Sequence, residues 1–466
     1  MHFNFNKVIN VDENYKEFKS LKVIIMKEFV DILIKNGIIV TVNQKDEIIV
    51  DGAIAIKGNK IFAVGKSSDI EKDFKSDILI DAKNKAVLPG FINAHTHECL
   101  LRGLCEDLPL MEWLNKLCFP MENAFSEEHM RASALLNQLE MIKSGTTTFI
   151  DIYRHEHKAA EVVEKSGLRA ILAPQLADLL PCKMENINDN ERLLRDWNGK
   201  ANGRIRVWFG PHAPYSCSTE LLMKVKELAE KYKTGIHIHL SESKDEVQRF
   251  IKYYGKRPIE FMNDLKFLNS NVHAAHCVWL NEKEIEILKR NKVSVAYNPT
   301  SNMKLASGIA PIMRLLQASI VVGLGTDSIL SNNNLDMIEE MRFASFLQRV
   351  HELNATALPA NKVLRMATIE GAKCLRMENE VGSIEVGKKA DIILIDLNKP
   401  HLSPLFLKPI TNIIEQIVYS ASGSDVDTVI VDGKILMENR KVKSLEECEV
   451  IEEAQKAALD LYRRIK

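Results

Sequence analysis

The chain has 466 residues, of which 46% are hydrophobic and 27% charged, as in an ordinary globular protein. Its 62 basic and 63 acidic residues nearly cancel, so the sequence predicts neither nucleic-acid binding nor attachment to a membrane surface. No apolar run approaches the roughly 20 residues of a membrane helix. The first 25 residues have no apolar core after a basic start, so we do not expect a secretory signal there, and the eight cysteines show no C-x-x-C spacing. We therefore expect a cytoplasmic protein with reduced thiols.

Both ends of the chain carry short β-branched runs of the kind that form antiparallel strands. A polar segment, residues 1–28, is expected to be a poorly ordered extension. DILIKNGIIVTV, EIIVDGAIAIKGNKIFAVG and ILIDAKNKAVLPG follow in residues 29–88, separated by turn residues. GSIEVGKKADIILIDL and VDTVIVDGK return to this pattern in residues 381–440, and residues 441–466 predict a C-terminal helix. The two β-rich parts are expected to form one small β-sandwich.

Residues 89–380 alternate short apolar strands with amphipathic helices. TTTFIDIY, IRVWFGPHAP, GIHIHLSES, VHAAHC and IVVGLGTDS are typical strands, and EEHMRASALLNQLEMIKS is a typical helix. This alternation predicts an α/β fold, a (β/α)8 TIM barrel whose catalytic residues lie at the carboxyl ends of its strands. A doubly wound open sheet is the alternative, but no G-x-G-x-x-G follows the first strand.

Histidine pairs with the spacing H-x-H follow predicted strands. His95 and His97 lie in GFINAHTH, and alternate residues of a strand point to the same side, so both imidazoles can face one metal ion. The spacing recurs in YRHEHK and in GIHIHL, and alone it suits core or surface histidines equally well. In GIHIHL, His237 and His239 share one face, so either can be a ligand on geometry alone.

Three further side chains extend this pattern along the chain. Glu242 lies three residues after His239, which places a proton carrier beside a possible ligand. His276 closes VHAAHC, and Asp327 follows VVGLG, where a helix N-cap is its alternative role. Four strands thus end in metal-competent groups, and a catalytic zinc ion takes histidine and carboxylate ligands while leaving a position for water. The joint pattern predicts a zinc site in the barrel mouth.

The motifs HTH, HLSE, AHCVWL and GTDS, in this order, resemble the amidohydrolase superfamily. RGLCEDLPLMEWL, KSGTTTFIDIY, HAPYSCS, NPTSNMKLASG and YSASGSDVDTVIVDGK are similar to the 5-methylthioadenosine/S-adenosylhomocysteine deaminases. This resemblance implies a barrel plus β-sandwich and one zinc ion per chain, with ferrous iron as a substitute. It implies hydrolytic deamination of the adenine ring of S-adenosylhomocysteine, 5′-methylthioadenosine or adenosine, which yields the inosine analogue and ammonia.

The resemblance also implies roles for individual residues. The implied zinc ligands are His95, His97, His239 and Asp327. The implied catalytic groups are the proton shuttle Glu242, the oxyanion-stabilising His276 and the proton acceptor Asp327. The implied substrate contacts are Glu122, which would hold the ribose hydroxyls, and His212, Glu242, Asp327, Trp113 and Ser331. Core packing is the alternative for Trp113, a solvated helix position for Glu122, and a structural role for His212.

The sequence departs from the family pattern at two places. The family has Asp-Gly-Ala-Ala-Ser at its last ligand, whereas this chain has DSILS, in which Ile329 and Leu330 are bulkier and are expected to reshape the pocket wall. Residues 174–203 do not align, so the basic residues for the substrate tail are not assigned, and Arg192 and Arg195 are only candidates. The choice among adenosine derivatives therefore stays open.

Other functions remain in competition at this stage. An aminohydrolase or chlorohydrolase acting on guanine, a pterin or a triazine would share the metal ligands, and a ribose pocket containing Glu122 would tell it apart. A cyclic-amide hydrolase needs a carboxylated lysine, which TTTFIDIY lacks. A catalytically inactive scaffold would be expected to lose one of five residues, all of which are present: His95, His97, His239, Glu242 and Asp327. The expected partner is a small molecule, and a homo-oligomer is compatible with the sequence.

Overall fold

The computed structural model describes residues 27–104, 106–108, 110–182 and 184–465. The expected extension, residues 1–28, lies outside the described part up to residue 26, and Glu28 already belongs to a strand. The strands in chain order are β1 Glu28–Phe29, β2 Ile32–Val40, β3 Ile48–Lys57, β4 Lys60–Lys66, β5 Phe74–Lys75, β6 Ile78–Asp81, β7 Lys85–Pro89, β8 Phe91–Thr96, β9 Thr146–Asp151, β10 Arg169–Leu172, β11 Gln175–Leu176, β12 Ile205–Val207, β13 Gly210–Pro211, β14 Ile236–Leu240, β15 Val272–His276, β16 Ser294–Tyr297, β17 Val322–Leu324, β18 Ile392–Asp396, β19 Val426–Val431, β20 Lys434–Glu438 and β21 Lys441–Val442.

Most helices separate the strands of the central region. In chain order they are α1 Ser67–Asp73, α2 Leu110–Trp113, α3 Phe119–Ala124, α4 Glu127–Ser144, α5 Glu156–Ser166, α6 Ile187–Trp197, α7 Lys200–Gly203, α8 Thr219–Tyr232, α9 Lys244–Tyr254, α10 Pro258–Asp264, α11 Glu282–Asn291, α12 Pro299–Lys304, α13 Ile312–Gln317, α14 Met337–Glu352, α15 Ala360–Met366, α16 Ile369–Cys374, α17 Ile413–Tyr419 and α18 Glu447–Arg464. A π-helical turn, Leu114–Cys118, joins α2 to α3, and short 3₁₀ turns cover Pro400–Leu402 and Gly423–Asp425.

Eight parallel strands form two four-stranded sheets, β12-β10-β9-β8 and β14-β15-β16-β17. An isolated bridge joins Phe209 to Ile236 of β14, and the backbone N–H of Asp327 donates to the carbonyl of His95 at 2.9 Å. The two sheets therefore meet along both edges and form an α/β structure. Within the described residues the ladder does not close, so a closed barrel stays a prediction.

The parallel strands are buried on both faces, because helices cover the outside of the sheets. Every residue of β9 and of β14 is buried, as expected for a parallel sheet between two layers. Helix α8 shows how the cover is built: Ser218 caps it by accepting the Leu221 N–H, and its buried side chains recur at helical spacing. Because the strands of each sheet are parallel, their carboxyl ends lie on the same side.

Strands from both ends of the chain form one nine-stranded sheet, in the order β21-β20-β19-β18-β7-β2-β3-β4, with β6 paired to β2. The antiparallel pair β7 and β18 joins the two ends, with Leu88 opposite Ile393. Leu88 and Ile393 face the main core, whereas their neighbours Val87 and Leu394 belong to a second apolar cluster, as the two-residue period of a strand requires. A two-layer sandwich and the domain limits stay predictions.

The described residues contain no helix that is long and apolar enough to cross a membrane.

Candidate metal and catalytic site

The carboxyl ends of the parallel strands bring together the predicted metal-competent side chains. His95 lies in β8 and His97 directly after it, while His239 lies in β14 and Asp327 follows β17. Candidate ligand atoms of His95, His97 and His239 lie within 4.8 Å of one another. Those of His95, His276 and Asp327 form a second such group, so the two groups share His95.

The His97 and His239 imidazoles are held in the same tautomer. His97 Nδ1 lies 2.6 Å from the Ile152 carbonyl, and His239 Nδ1 lies 2.7 Å from the His212 carbonyl. Because a carbonyl can only accept, each Nδ1 carries the ring hydrogen and each Nε2 is bare. The bare nitrogens are 3.1 Å apart. Burial lowers the pKa of both rings, which keeps them neutral and able to bind a metal ion.

His95 completes the nitrogen donors of the cluster. Its ring is fully buried, and its Nε2 has no hydrogen-bond partner among the described residues. This nitrogen lies 3.7 Å from Asp327 Oδ1, which also lies 3.6 Å from His97 Nε2. An unpartnered buried nitrogen is costly unless a ligand satisfies it. Three imidazole nitrogens and one carboxylate oxygen directed at a common centre fit a divalent metal ion.

The sequence GLGTDS gives Asp327 its place beside β8. A Cβ on Gly325 would approach the backbone nitrogen of His95 to 2.8 Å, so only glycine allows the turn to pass this close to the strand. Asp327 itself has a left-handed backbone, with φ of 60°. Its Oδ2 accepts a 2.6 Å hydrogen bond from Ser301, and its Oδ1 accepts the Ser328 N–H at 2.7 Å. The carboxylate is therefore fixed in orientation.

His276 lies beside the cluster and is held by two amides. The side-chain nitrogens of Asn298 and Asn302 lie 3.2 and 3.1 Å from its Nδ1. In this orientation Nδ1 accepts and Nε2 carries the ring hydrogen. That Nε2 lies 3.9 Å from Glu242 Oε2 and 4.0 Å from Asp327 Oδ2. His276 therefore presents a hydrogen-bond donor to the space between the two carboxylates.

Glu242 follows β14 and points into the same space. Burial, followed by the nearby negative charge of Asp327, raises the pKa of Glu242 to about 8. Ser307 Oγ donates to its Oε1 at 3.4 Å. The Glu242 carboxyl therefore holds a proton near neutral pH, as a general acid requires.

A cavity of about 610 Å³, its open mouth included, lies over the cluster. It has the size of a small-molecule pocket. The predicted substrate contacts all line it, namely Trp113, Glu122, His212, Glu242, Asp327 and Ser331. Trp113 also packs in the core, so its two possible roles are compatible. Glu122 is buried in α3, which excludes a solvated position.

The structure shows where the residues of the two departures lie. Leu330 lines the cavity, whereas Ile329 is buried in the core behind it. The candidates Arg192 and Arg195 are not part of the cavity wall. Each pairs with an aspartate on its own helix, Arg192 with Asp189 and Arg195 with Asp196. A contact between either arginine and a substrate tail therefore stays a prediction.

Several site residues were not predicted individually. Asn298, Ser301 and Asn302 orient His276 and Asp327, and all three lie in the NPTSNMK motif, which carried the signal. His237 is not part of the metal-competent cluster. Its Nε2 instead lies 2.8 Å from His95 Nδ1, which favours His239 over His237 as a candidate ligand.

An α/β fold with a candidate metal centre at the carboxyl ends of its parallel strands is typical of a class of metal-dependent enzymes. Residues 86–436 match the amidohydrolase family, and the chain belongs to this family. The resemblance found in the motifs is thus confirmed. The chain is a hydrolase that acts on C–N bonds, like the members of the family that are named deaminases.

Similar proteins cover nearly the whole chain. The 5′-deoxyadenosine deaminase of Methanobrevibacter smithii is 49% identical over 434 residues, which cover 92% of this chain and 98% of that protein. The 5-methylthioadenosine/S-adenosylhomocysteine deaminase of Caldanaerobacter subterraneus subsp. tengcongensis is 43% identical over 437 residues, with coverages of 93% and 99%. The crystal structure of an adenosine deaminase from Xanthomonas campestris with bound zinc has a TM-score of 0.89 at 32% identity and covers 94% of this chain and 100% of that one.

Proposed function

We propose that this chain removes the amino group from the adenine ring of an adenosine derivative by hydrolysis. The substrates are S-adenosylhomocysteine, 5′-methylthioadenosine, adenosine or 5′-deoxyadenosine, and the products are the inosine analogue and ammonia. The observation that carries the proposal is one cavity whose floor is the metal-competent cluster and whose wall contains the buried carboxylate of Glu122. The names of the similar deaminases support the same reaction.

The proposal includes a single zinc ion held by His95, His97, His239 and Asp327. The unpartnered Nε2 of His95 and the facing Nε2 atoms of His97 and His239 support this ligand set. When bound, zinc would supply Lewis-acid activation of water near neutral pH, and ferrous iron could replace it. The proposal also includes closure of the eight parallel strands into a (β/α)8 barrel, capped by a β-sandwich from both chain ends. The two contacts between the parallel sheets support that closure.

The proton transfers follow from the positions of three side chains. Glu242 donates its proton to the ring nitrogen beside the carbon that bears the amino group, which makes this carbon electrophilic. Asp327 accepts a proton from the attacking water, and the Nε2–H of His276 stabilises the negative charge that develops on the oxygen. The proton that Asp327 accepted is then delivered to the amino group, and ammonia leaves. The hydroxyl group added to the ring returns its proton to Glu242 as the carbonyl of the product forms. His276 lies between the carboxylates of Glu242 and Asp327, as this order of proton transfers requires.

The ribose is proposed to bind along α3. A carboxylate accepts one hydrogen bond per oxygen from the vicinal 2′- and 3′-hydroxyls. Cys182 Sγ donates to Glu122 Oε2 at 3.3 Å and thereby orients the carboxylate. His212 and Trp113 would contact the nucleoside from other sides of the cavity. The partner is thus a small molecule, while a homo-oligomer and a cytoplasmic location stay predictions.

Isotope labelling tests the reaction itself. The zinc-loaded chain is incubated with 5′-methylthioadenosine in ¹⁸O-labelled water, and the molecular masses of the products are measured by mass spectrometry. We expect one ammonia per nucleoside consumed and one ¹⁸O atom in the base of the product. Release of free adenine, or a product without the label, contradicts hydrolytic deamination.

A further inference from the structure

His237 forms a chain of contacts behind the metal-competent cluster. Its Nε2 lies 2.8 Å from His95 Nδ1, and its own Nδ1 lies 3.1 Å from the carbonyl of His273. His237 in β14 and His273 in β15 are neighbours in register, and their rings stack with centroids 4.9 Å apart. All of these groups are buried.

The hydrogens of this chain can be assigned from the acceptors alone. The His273 carbonyl only accepts, so His237 Nδ1 carries a hydrogen and His237 Nε2 is bare in the neutral ring. A bare Nε2 accepts the hydrogen of His95 Nδ1, which leaves His95 Nε2 bare as well. If His237 Nε2 also carried a hydrogen, the buried His237 ring would be cationic. No carboxylate of the described residues forms an ion pair with this ring to stabilise such a charge.

His273 fixes the position of this chain relative to β8. Its Nε2 donates to the carbonyl of Ala94, the residue before His95, at 2.8 Å. Its Nδ1 lies 2.9 Å from Ser294 Oγ, at the start of β16. The His237 ring is therefore held between its stacking partner and His95, with little freedom to rotate.

We propose that His237 is a positioning residue for the metal site: its Nε2 accepts the Nδ1 hydrogen of His95 and holds His95 in the tautomer whose Nε2 can bind metal. A carboxylate or a backbone carbonyl commonly plays this part for a ligating histidine, and loss of such a partner lowers metal affinity about 10- to 100-fold. Here a second neutral imidazole does so. The inference rests on the metal site of the proposed function.

Two amide substitutions at position 237 test whether a hydrogen-bond acceptor at the position of Nε2 is what matters, rather than the volume of the ring. His237→Gln can place an amide oxygen near the position of Nε2, whereas the shorter His237→Asn reaches only the position of Nδ1. His401→Gln is the matched control, because His401 is half exposed and pairs with Asp425 away from the site. Zinc dissociation constants are measured for the full-length chain by competition with a chelator, and the visible spectrum of the Co²⁺-loaded chain reports on the ligand geometry. Thermal unfolding of the metal-free chains checks their folding.

We expect the Asn variant to bind zinc about 10- to 100-fold more weakly, with an altered cobalt spectrum. The Gln variant and the His401 control should stay within a few-fold of the unmodified chain. Wild-type affinity in a folded Asn variant, or a Gln variant as weak as the Asn variant, overturns the proposal. Should the Asn variant not fold, the Gln variant alone decides, since retained affinity is required of it. Failure of the unmodified chain to bind zinc overturns the metal site itself.

Discussion

His97 Nε2 and His239 Nε2 face each other at 3.1 Å, between rings that are parallel to within 3°. Each ring donates its Nδ1 hydrogen to a backbone carbonyl, so two bare nitrogens lie close together in a buried site. Such an arrangement is repulsive unless a cation lies between or beside the two nitrogens. The folded chain thus holds these imidazoles in the orientation that a bound metal needs.

We predict about one zinc ion per chain, and its loss in His97→Ala, because this change removes one of the two facing nitrogens. His157→Ala is the control: His157 belongs to another H-x-H pair, but its Nε2 lies 3.2 Å from Glu127 Oε1, outside the cluster. Elemental analysis of the purified proteins gives the stoichiometry. Two metal ions per chain, or a His97 variant that keeps its zinc, is incompatible with the proposed ligand set.

Replacing Glu242 by glutamine should lower kcat at least about 10²-fold, because an amide cannot transfer a proton to the ring nitrogen as a carboxylic acid does. Zinc content should be unchanged, since Glu242 is not among the proposed ligands. Glu286→Gln is the control, because Glu286 is exposed and pairs with Lys289 on the same helix. Steady-state kinetics with a single nucleoside measure the effect. A kcat near that of the unmodified chain removes Glu242 from the mechanism.

Glu122→Ala should lower kcat/KM for adenosine at least about 10-fold, because hydrogen bonds to a charged group are worth roughly 1.5–3 kcal/mol each. The loss should be smaller for 2′-deoxyadenosine, which lacks one of the two hydroxyls. Glu112→Ala is the control, since Glu112 is exposed and pairs with Lys116. Equal use of adenosine and 2′-deoxyadenosine by the unmodified chain argues against a ribose-binding carboxylate.

Stability of the metal-free chain should depend on Glu340, a buried carboxyl in α14 that contacts Thr300 and Asn332. Burial raises the pKa of Glu340 to about 8. A carboxyl with a raised pKa in the folded state stabilises the protein below its unfolded pKa and loses this contribution as pH rises through about 8. Between the ordinary pKa of 4.5 and the raised pKa of about 8, the loss of unfolding free energy approaches about 1.4 kcal/mol per pH unit.

Glu340→Gln keeps a neutral side chain of the same shape that does not titrate. From pH 5 to about 8, the free energy of unfolding of the unmodified chain should therefore fall relative to that of the variant. Urea unfolding of both metal-free proteins across this range measures the difference. A difference that does not vary with pH shows that Glu340 does not titrate as its burial requires.

Residue periodicity and strand ends predicted much of the candidate site from the sequence. His95, His239 and His276 lie at the carboxyl ends of short apolar strands, and His97 and Asp327 follow such strands. Parallel strands bring their carboxyl ends to one edge. The role of His237 was not predictable, because alternation gives His237 and His239 the same face and only the three-dimensional register pairs one of them with His95. The basic residues that would contact a substrate tail were not predictable either, since the partners of a charged helix residue such as Arg192 depend on how the helix packs.

Competition between substrates tests the central claim most directly. Ammonia release is followed from the zinc-loaded chain and from the metal-free chain, with adenosine, 5′-deoxyadenosine, 5′-methylthioadenosine and S-adenosylhomocysteine set against adenine, guanine and melamine. We predict that a nucleoside has the highest kcat/KM, that turnover stops in the metal-free chain, and that added zinc restores it. Preference for a free base or for the triazine, or full activity without metal, would contradict zinc-dependent deamination of an adenosine derivative.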